Sequence, residues 1–252
     1  QRVIGGSVTY GVLSGTAKGF SETYLFATMQ MMSKPDCYER FSPTDFDVIV
    51  IDEAHRAGSE SYHRIMEYFR PKFWFAMTAS PERTDDFDIY KLFDYNIIHE
   101  IRLQHALEAD LLCPFHYFAI GQLSDGITTY EGDEAQSIFA NEWDYQTRAR
   151  LILEQCNFYG YSGERVKGLV FCHSIEEAQE LSKAFNQLGM RTISLSGADS
   201  QEIREEAIQR LSGPDANDAL DYIMTVDIFN EGIDIPEVNQ VVMVRGTESP
   251  IV

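Results

Sequence analysis

Asp52 and Glu53 stand side by side directly after the aliphatic run Val48-Ile49-Val50-Ile51, and His55 follows two residues later. One carboxylate of such a pair can hold a hard cation such as magnesium, which keeps several waters and takes substrate phosphates as co-ligands. The next residue points to the other side and can orient an attacking water. The element that must position them is the aliphatic run. A continuous Val/Ile stretch fits a strand buried on both faces, as in a parallel sheet covered by helices. In open parallel sheets ligands sit beyond the carboxyl ends of the strands, where these two carboxylates would emerge. The plainer alternative is a strand that surfaces into a solvated charged turn.

The chain of 252 residues is long enough for a well-buried core and for about two domains. With 44% hydrophobic residues and no apolar run near the length of a span, the composition predicts a soluble protein without a membrane segment or signal peptide, and its scattered cysteines suit a reducing cytoplasm. Cys37, Cys113, Cys156 and Cys172 lie far apart and form no C-x-x-C pair, which argues against a zinc site or a disulfide framework. Forty acidic against twenty basic residues give a formal charge of −20. Attraction of the whole surface to phosphate is thereby excluded, so any contact with nucleic acid must come from a local patch.

Strands and helices alternate twice along the chain. Tyr24–Ala27, Asp47–Ile51 and Phe73–Met77 read as short strands, with helical SYHRIMEYF between the last two and a small helix in ALEADLL. Gly11–Phe20 is glycine-rich and reads as a strand and loop, while acidic Gly126–Gln136 reads as an exposed connector. Further on, Gly168–Cys172 is a buried strand. A helix follows with Ile175, Ala178, Leu181, Phe185 and Leu188 on one face and Gly189 as its C-terminal cap. TISLSG is the next strand. The helix after it opens with Asp199 three residues before Glu202, as in a capping box, and carries Ile203, Ala207, Ile208 and Leu211 on its apolar face. DYIMTVD and NQVVMVRG add two more strands. This rhythm argues for parallel sheets with right-handed crossovers, hence two α/β domains in tandem.

DEAH at Asp52–His55, TAS at Thr78–Ser80 and TVDIFNEGIDIP at Thr225–Pro236 occur in that order. Together they resemble motifs II, III and V of a superfamily 2 helicase or translocase, closest to the DEAD/DEAH-box proteins grouped with type III restriction-enzyme helicase subunits and excision-repair helicases. Phe26–Met32 is similar to the segment around motif Ib, and LVFCHSIEEAQEL to motif IV. The resemblance covers nearly the whole chain. It implies two RecA-like domains, each a mostly parallel sheet flanked by helices, the first incomplete at its N-terminus and the second at its C-terminus. The expected layout is a first domain over 1–110, a connector over 111–145 and a second domain over 146–252.

The resemblance also implies roles. Asp52 would hold the magnesium of ATP through water, and Glu53 would orient or deprotonate the water that attacks the γ-phosphate. His55 would couple this site to the facing domain, or else be a helix-start histidine with a backbone partner. Thr78 and Ser80 would link hydrolysis to domain motion, or else cap a strand end. Thr225 would touch the nucleic-acid backbone. Gly232 and Asp234 would approach the nucleotide, or else form a glycine turn before Pro236. Thr28, Gln30, Ser196 and Gly197 would line the nucleic-acid track, with DNA as the expected partner, or be ordinary polar residues at element ends. Oligomeric state is open.

Two features of the family pattern are missing. The sequence holds no G-x-x-x-x-G-K-[ST], the loop whose backbone N–H groups cradle phosphates, and not even a Gly-Lys dipeptide. It also holds no Q-x-x-G-R-x-x-R, since NQLGMR at Asn186–Arg191 comes before motif V at a helix end. Both would lie outside a truncated chain, so this sequence reads as part of a longer motor and is itself expected to be inactive. The alternative is a non-hydrolysing module that binds nucleic acid or protein on the same fold. A restriction endonuclease is a weaker third reading, since no nuclease motif stands out.

Overall fold

The computed structural model describes residues 9–14, 22–81, 87–120, 122–124, 129–132, 139, 143–229 and 234–244. The chain divides into two compact units, Gln1–Pro114 and Phe115–Val252. Both are α/β with parallel strands.

In the first unit, β1 (Tyr10–Leu13) pairs in parallel with β2 (Tyr24–Ala27), and β3 (Val48–Ile51) pairs in parallel with β4 (Phe73–Ala76). The helices are α1 (Met29–Met32), α2 (Pro35–Tyr38), α3 (Glu60–Tyr68) and α4 (Leu103–Glu108). Alternate strand residues share a face. Leu13, Leu25, Ile49 and Trp74 meet Cys37, Phe41, Ile65 and Phe69 in one apolar cluster, so both strand pairs rest on α2 and α3. The opposite face is open among the described residues. Tyr10, Val12, Tyr24, Phe26, Val48, Val50 and Phe73 are 41–54% exposed. The aliphatic run expected to be buried on both faces is therefore buried on one only, because the helical side chains of its core pack on the Ile49 side.

The small helix predicted at ALEADLL begins earlier and ends before Asp110. Asp110 takes φ 53°, its N–H reaches the Leu107 carbonyl, and the Leu111 N–H reaches that of Ala106. These are the paired bonds of a Schellman stop, made with aspartate where glycine is usual.

The second unit begins with an antiparallel hairpin, β5 (Gln122–Ser124) and β6 (Thr129–Glu131), inside the stretch expected to be a plain connector. Then come α5 (Tyr145–Tyr159), β7 (Gly168–Phe171), α6 (Ile175–Gln187), β8 (Thr192–Leu195), α7 (Gln201–Ser212), β9 (Tyr222–Thr225) and β10 (Gln240–Met243). Four parallel strands form one sheet in the order β10-β7-β9-β8. Val170, Tyr222 and Met224 pack on Ala149, Ile152, Ala178, Leu181 and Phe185 of α5 and α6. Leu169, Leu195 and Ile223 pack the other way, on Ala207 and Leu211 of α7. Both faces are covered, and full burial of each such aliphatic side chain contributes about 1.5–3 kcal/mol.

The helix faces are shorter than the sequence suggests. Ala178, Leu181 and Phe185 are buried, but Ile175 and Leu188 at the helix ends are exposed, as is Ile203 of α7. Gly189 follows α6 at φ 89°, with its N–H bonded to the Asn186 carbonyl and the Met190 N–H to that of Phe185, so it closes a Schellman stop. At the start of α7 the cap is Ser200, whose Oγ accepts from the Ile203 N–H, and not Asp199. Asp199 is turned back to accept from the N–H and Oγ of Ser196. The box-like pairing lies instead at α6, where Ser174 caps the Glu177 N–H and Glu177 accepts from the His173 N–H. Gly168 is required by packing, since a Cβ there would come within 2.2 Å of the Tyr222 ring.

Candidate functional site

β3 ends at Ile51, and its ladder with β4 continues one step further through the Met77 N–H to the Ile51 carbonyl at 2.9 Å. The Ala54 N–H then returns to the Met77 carbonyl at 2.9 Å. The turn between these bonds holds Asp52 and Glu53. Glu53 sits in the left-handed region at φ 50°, ψ 48°, which costs a non-glycine residue about 1–3 kcal/mol. A 3-10 turn at Ala54–Arg56 follows, anchored by the fully buried Ala54 and Ala57 beside Ile51 and Tyr62.

This backbone brings five of the candidate residues into one hydrogen-bonded group. Asp52 is exposed. Its Oδ1 accepts from the Glu53 N–H at 3.0 Å, and its Oδ2 has no partner among the described residues. His55, with 19% of its side chain exposed, places Nδ1 3.3 Å from Glu53 Oε2. The same Nδ1 lies 3.2 Å from Thr78 Oγ1, which accepts from the Ser80 N–H at 3.1 Å. Arg56 and Tyr62 were missed by the sequence reading. The Arg56 Nε–H donates to His55 Nε2 at 3.4 Å. Burial pushes the ionisation of the Tyr62 phenol up; Arg56 opposes this, and the charges of Glu53 and Asp52 add to it. Arg56 was legible only as a cation next to DEAH, and Tyr62 only as an apolar position of α3.

An exposed carboxylate with one oxygen unengaged suits magnesium, which commonly takes one or two carboxylates and completes its shell with water and phosphate. Among the described residues no group of three or more His, Cys, Asp or Glu is placed to cage a metal.

The other candidates lie at strand ends as well. Thr28 follows β2, donates its N–H to the Leu13 carbonyl at 3.0 Å and starts α1 without a side-chain cap bond. Thr28 and Gln30 are both exposed. In the second unit, Ser196 and Gly197 follow β8, their carbonyls bound by Arg204 Nη2. Gly197 is exposed, while Ser196 is half-buried with its N–H and hydroxyl on Asp199. Thr225 departs from expectation. It is wholly buried, and its hydroxyl donates to the Ile228 carbonyl at 2.9 Å, so it presents no surface to a phosphate. The chain then turns through Asp227 at φ 53° and Phe229 at φ 68°. Asp234 is exposed, and Gly232 lies outside the described residues.

Behind the end of β7 a second feature went unread. Arg148 of α5 is paired with Glu177 of α6, both buried, and the guanidinium lies over the rings of Phe139 at 4.7 Å and Tyr145 at 5.2 Å. Glu177 reaches on to the His173 N–H at 2.6 Å, fixing the turn that leaves β7.

The family described as type III restriction enzyme, res subunit, matches residues 2–83, and the helicase conserved C-terminal domain matches residues 149–252. A 51.5 kDa protein of a Lactococcus phage (isolate 7-9) is 20% identical over 203 residues, covering 80% of this chain and 43% of that protein. IRC3 of Saccharomyces cerevisiae, named for an ATP-dependent helicase, is 23% identical over 222 residues, covering 83% of this chain and 31% of its own. The chain thus spans less than half the length of either relative. Among solved structures, S. cerevisiae Dbp5 bound to RNA and ADP BeF3 superposes with a TM-score of 0.58 at 11% identity, over 94% of this chain and 55% of that one. That likeness carries the fold, two RecA-like domains.

Proposed function

Because this chain belongs to the superfamily 2 helicases, of the kind that includes type III restriction-enzyme helicase subunits, we propose that it supplies both RecA-like domains of an ATP-dependent, nucleic-acid-stimulated helicase or translocase. The observation that carries the proposal is the bonded group of Asp52, Glu53, His55 and Thr78 at the carboxyl end of β3.

In this reading Asp52 would hold magnesium through water, with its unengaged Oδ2. When bound, that ion neutralises charge on the β- and γ-phosphates. Glu53 orients a water and takes its proton as the water oxygen attacks the γ-phosphorus and the bond to the ADP oxygen breaks. His55 and Thr78 hold Glu53 and the end of β4 in register, so a change at the γ-phosphate reaches the Thr78–Ser80 segment. Gly232 and Asp234 serve the nucleotide from the second domain. Thr28, Gln30, Ser196 and Gly197 serve the nucleic acid, with DNA as the first partner to test. The net charge of −20 makes this a local interaction.

The test is ATP turnover with and without single- and double-stranded DNA and RNA, using the protein with any residues that flank these 252 in its natural polypeptide. Turnover that nucleic acid stimulates and Glu53→Gln abolishes is the expected result. No turnover with any nucleic acid, in protein shown to be folded, overturns the motor and leaves a binding module. The 252-residue chain alone, without a phosphate-cradling glycine loop and its lysine, is expected to turn over little or no ATP.

A further inference from the structure

The contact between Arg56 and His55 decides something the motif alone leaves open. A histidine at this position can carry its proton on either ring nitrogen, and the hydrogen bond at one nitrogen sets the state of the other. Arginine is a permanent donor with no acceptor atom. With the Arg56 Nε–H directed at His55 Nε2 at 3.4 Å, that nitrogen has to offer its lone pair. In the neutral ring, the single proton then resides on Nδ1, which lies 3.3 Å from Glu53 Oε2 and 3.2 Å from Thr78 Oγ1. In the other tautomer the Arg56 N–H would face the Nε2 N–H, and the Nδ1 lone pair would face the Glu53 carboxylate, so both sides would repel.

From this geometry we infer that Arg56 is a positioning residue, holding His55 as the Nδ1–H tautomer so that the ring donates to Glu53 Oε2 and leaves Oε1 as the oxygen open to water. The consequence for chemistry rests on the proposed role of Glu53, but the tautomer does not. Thr78 fits the same pattern. Its hydroxyl oxygen already accepts from the Ser80 N–H at 3.1 Å and, like the carboxylate, meets a donor at Nδ1. Arg56 is exposed, so replacing it removes the donor without opening the core.

The test reads the ring nitrogens directly. Long-range proton–nitrogen correlation spectra of the 252-residue chain labelled at histidine would report each tautomer, with His55→Gln identifying the signal among six histidines. The expected result is an unprotonated Nε2 in the parent chain, a shift toward the Nε2–H form in Arg56→Ala, and retention of the parent pattern in Arg56→Lys, which keeps a charged donor. A protonated Nε2 in the parent chain overturns the inference, as does an unchanged spectrum in folded Arg56→Ala. In the natural polypeptide, Arg56→Ala is expected to lower kcat for ATP about tenfold with KM unchanged, the lower end of what losing an outer-shell partner of a metal-ligating histidine costs. An unchanged kcat there overturns the positioning role. Absent turnover in the unsubstituted protein defeats the hydrolase reading alone, because the nitrogen spectrum still decides the tautomer.

Discussion

The ends of β3 and β9 solve one problem with different means. Each is a parallel strand that delivers a candidate turn at its carboxyl end and leaves through left-handed non-glycine residues, Glu53 after β3 and Asp227 and Phe229 after β9. β9 is buried at all four positions in a sheet covered on both faces, and the neighbouring β7 turn is backed by the Arg148–Glu177 pair. β3 has Val48 and Val50 more than half exposed, and its turn is held by two backbone bonds to Met77 and by the His55 bridge. The β9 turn is braced by a sheet covered on both faces, while the β3 turn rests on the smaller cluster of Ile51, Ala54, Ala57 and Tyr62 and adds a polar bridge between residues proposed to work.

The largest expected effect comes from Arg148→Ala, which leaves the Glu177 carboxylate buried without its partner. A loss of about 3–5 kcal/mol in the second unit is expected, and Arg148→Met with Glu177→Leu should recover much of it. Urea unfolding can assign the loss, because the two tryptophans divide between the units, Trp74 in β4 and Trp143 just before α5. An Arg148→Ala change that moved the Trp74 transition instead would break the contrast.

Next is a matched pair of strand valines. Val170 is fully buried and Val50 is 53% exposed. Val170→Thr is expected to cost about 2 kcal/mol for an unpaired buried hydroxyl, and Val50→Thr less than about 0.5 kcal/mol. Equal costs in the same denaturation assay would mean that the outer face of β3 is covered in solution.

A smaller effect concerns pH. Burial alone would raise the Asp221 carboxyl, but its hydrogen bonds with Arg191 and the charges of Arg191 and Arg165 outweigh burial and hold it below the usual carboxylate range. A depressed folded value means that the stabilisation is complete above the ordinary aspartate range, near pH 4, and is lost as pH falls through the folded value. Thermal melts of the second unit between pH 6 and 3 should therefore fall less steeply in Asp221→Asn than in the parent chain. The smallest effect is Glu53→Gly. It relieves the left-handed strain, but chain entropy and the lost His55 bridge offset the gain, so urea unfolding read at Trp74 is expected to shift by less than about 1 kcal/mol.

Much of this was legible because parallel strands write themselves as aliphatic runs with punctuation. Gly168–Phe171, Tyr222–Thr225 and Val48–Ile51 are visible in the sequence, and the DEAH and TAS segments lie at strand ends as their spacing suggests. An unbroken run carries no record of which face is covered, so the exposure of Val48 and Val50 could not be read. Asp199 and Ser200 are both good helix caps, and only geometry separates them. The Arg148–Glu177 pair joins two helices 29 residues apart in sequence, and nothing local marks either partner. Thr225 was singled out by its place in the motif V-like segment, and nothing in that pattern shows that its hydroxyl is satisfied by a carbonyl three residues on.

The open outer face of the first unit also bears on how the chain behaves as a colloid. Seven large apolar side chains on the strands meet water there, a patch of the sort that draws molecules together. A formal charge of −20 keeps copies apart through repulsion that reaches about 10 Å at 0.1 M salt and about 3 Å at 1 M. Raising the ionic strength removes the repulsion and leaves the stickiness, so dispersal of this chain is expected to depend on dilute salt near the pH 7 at which that formal charge holds.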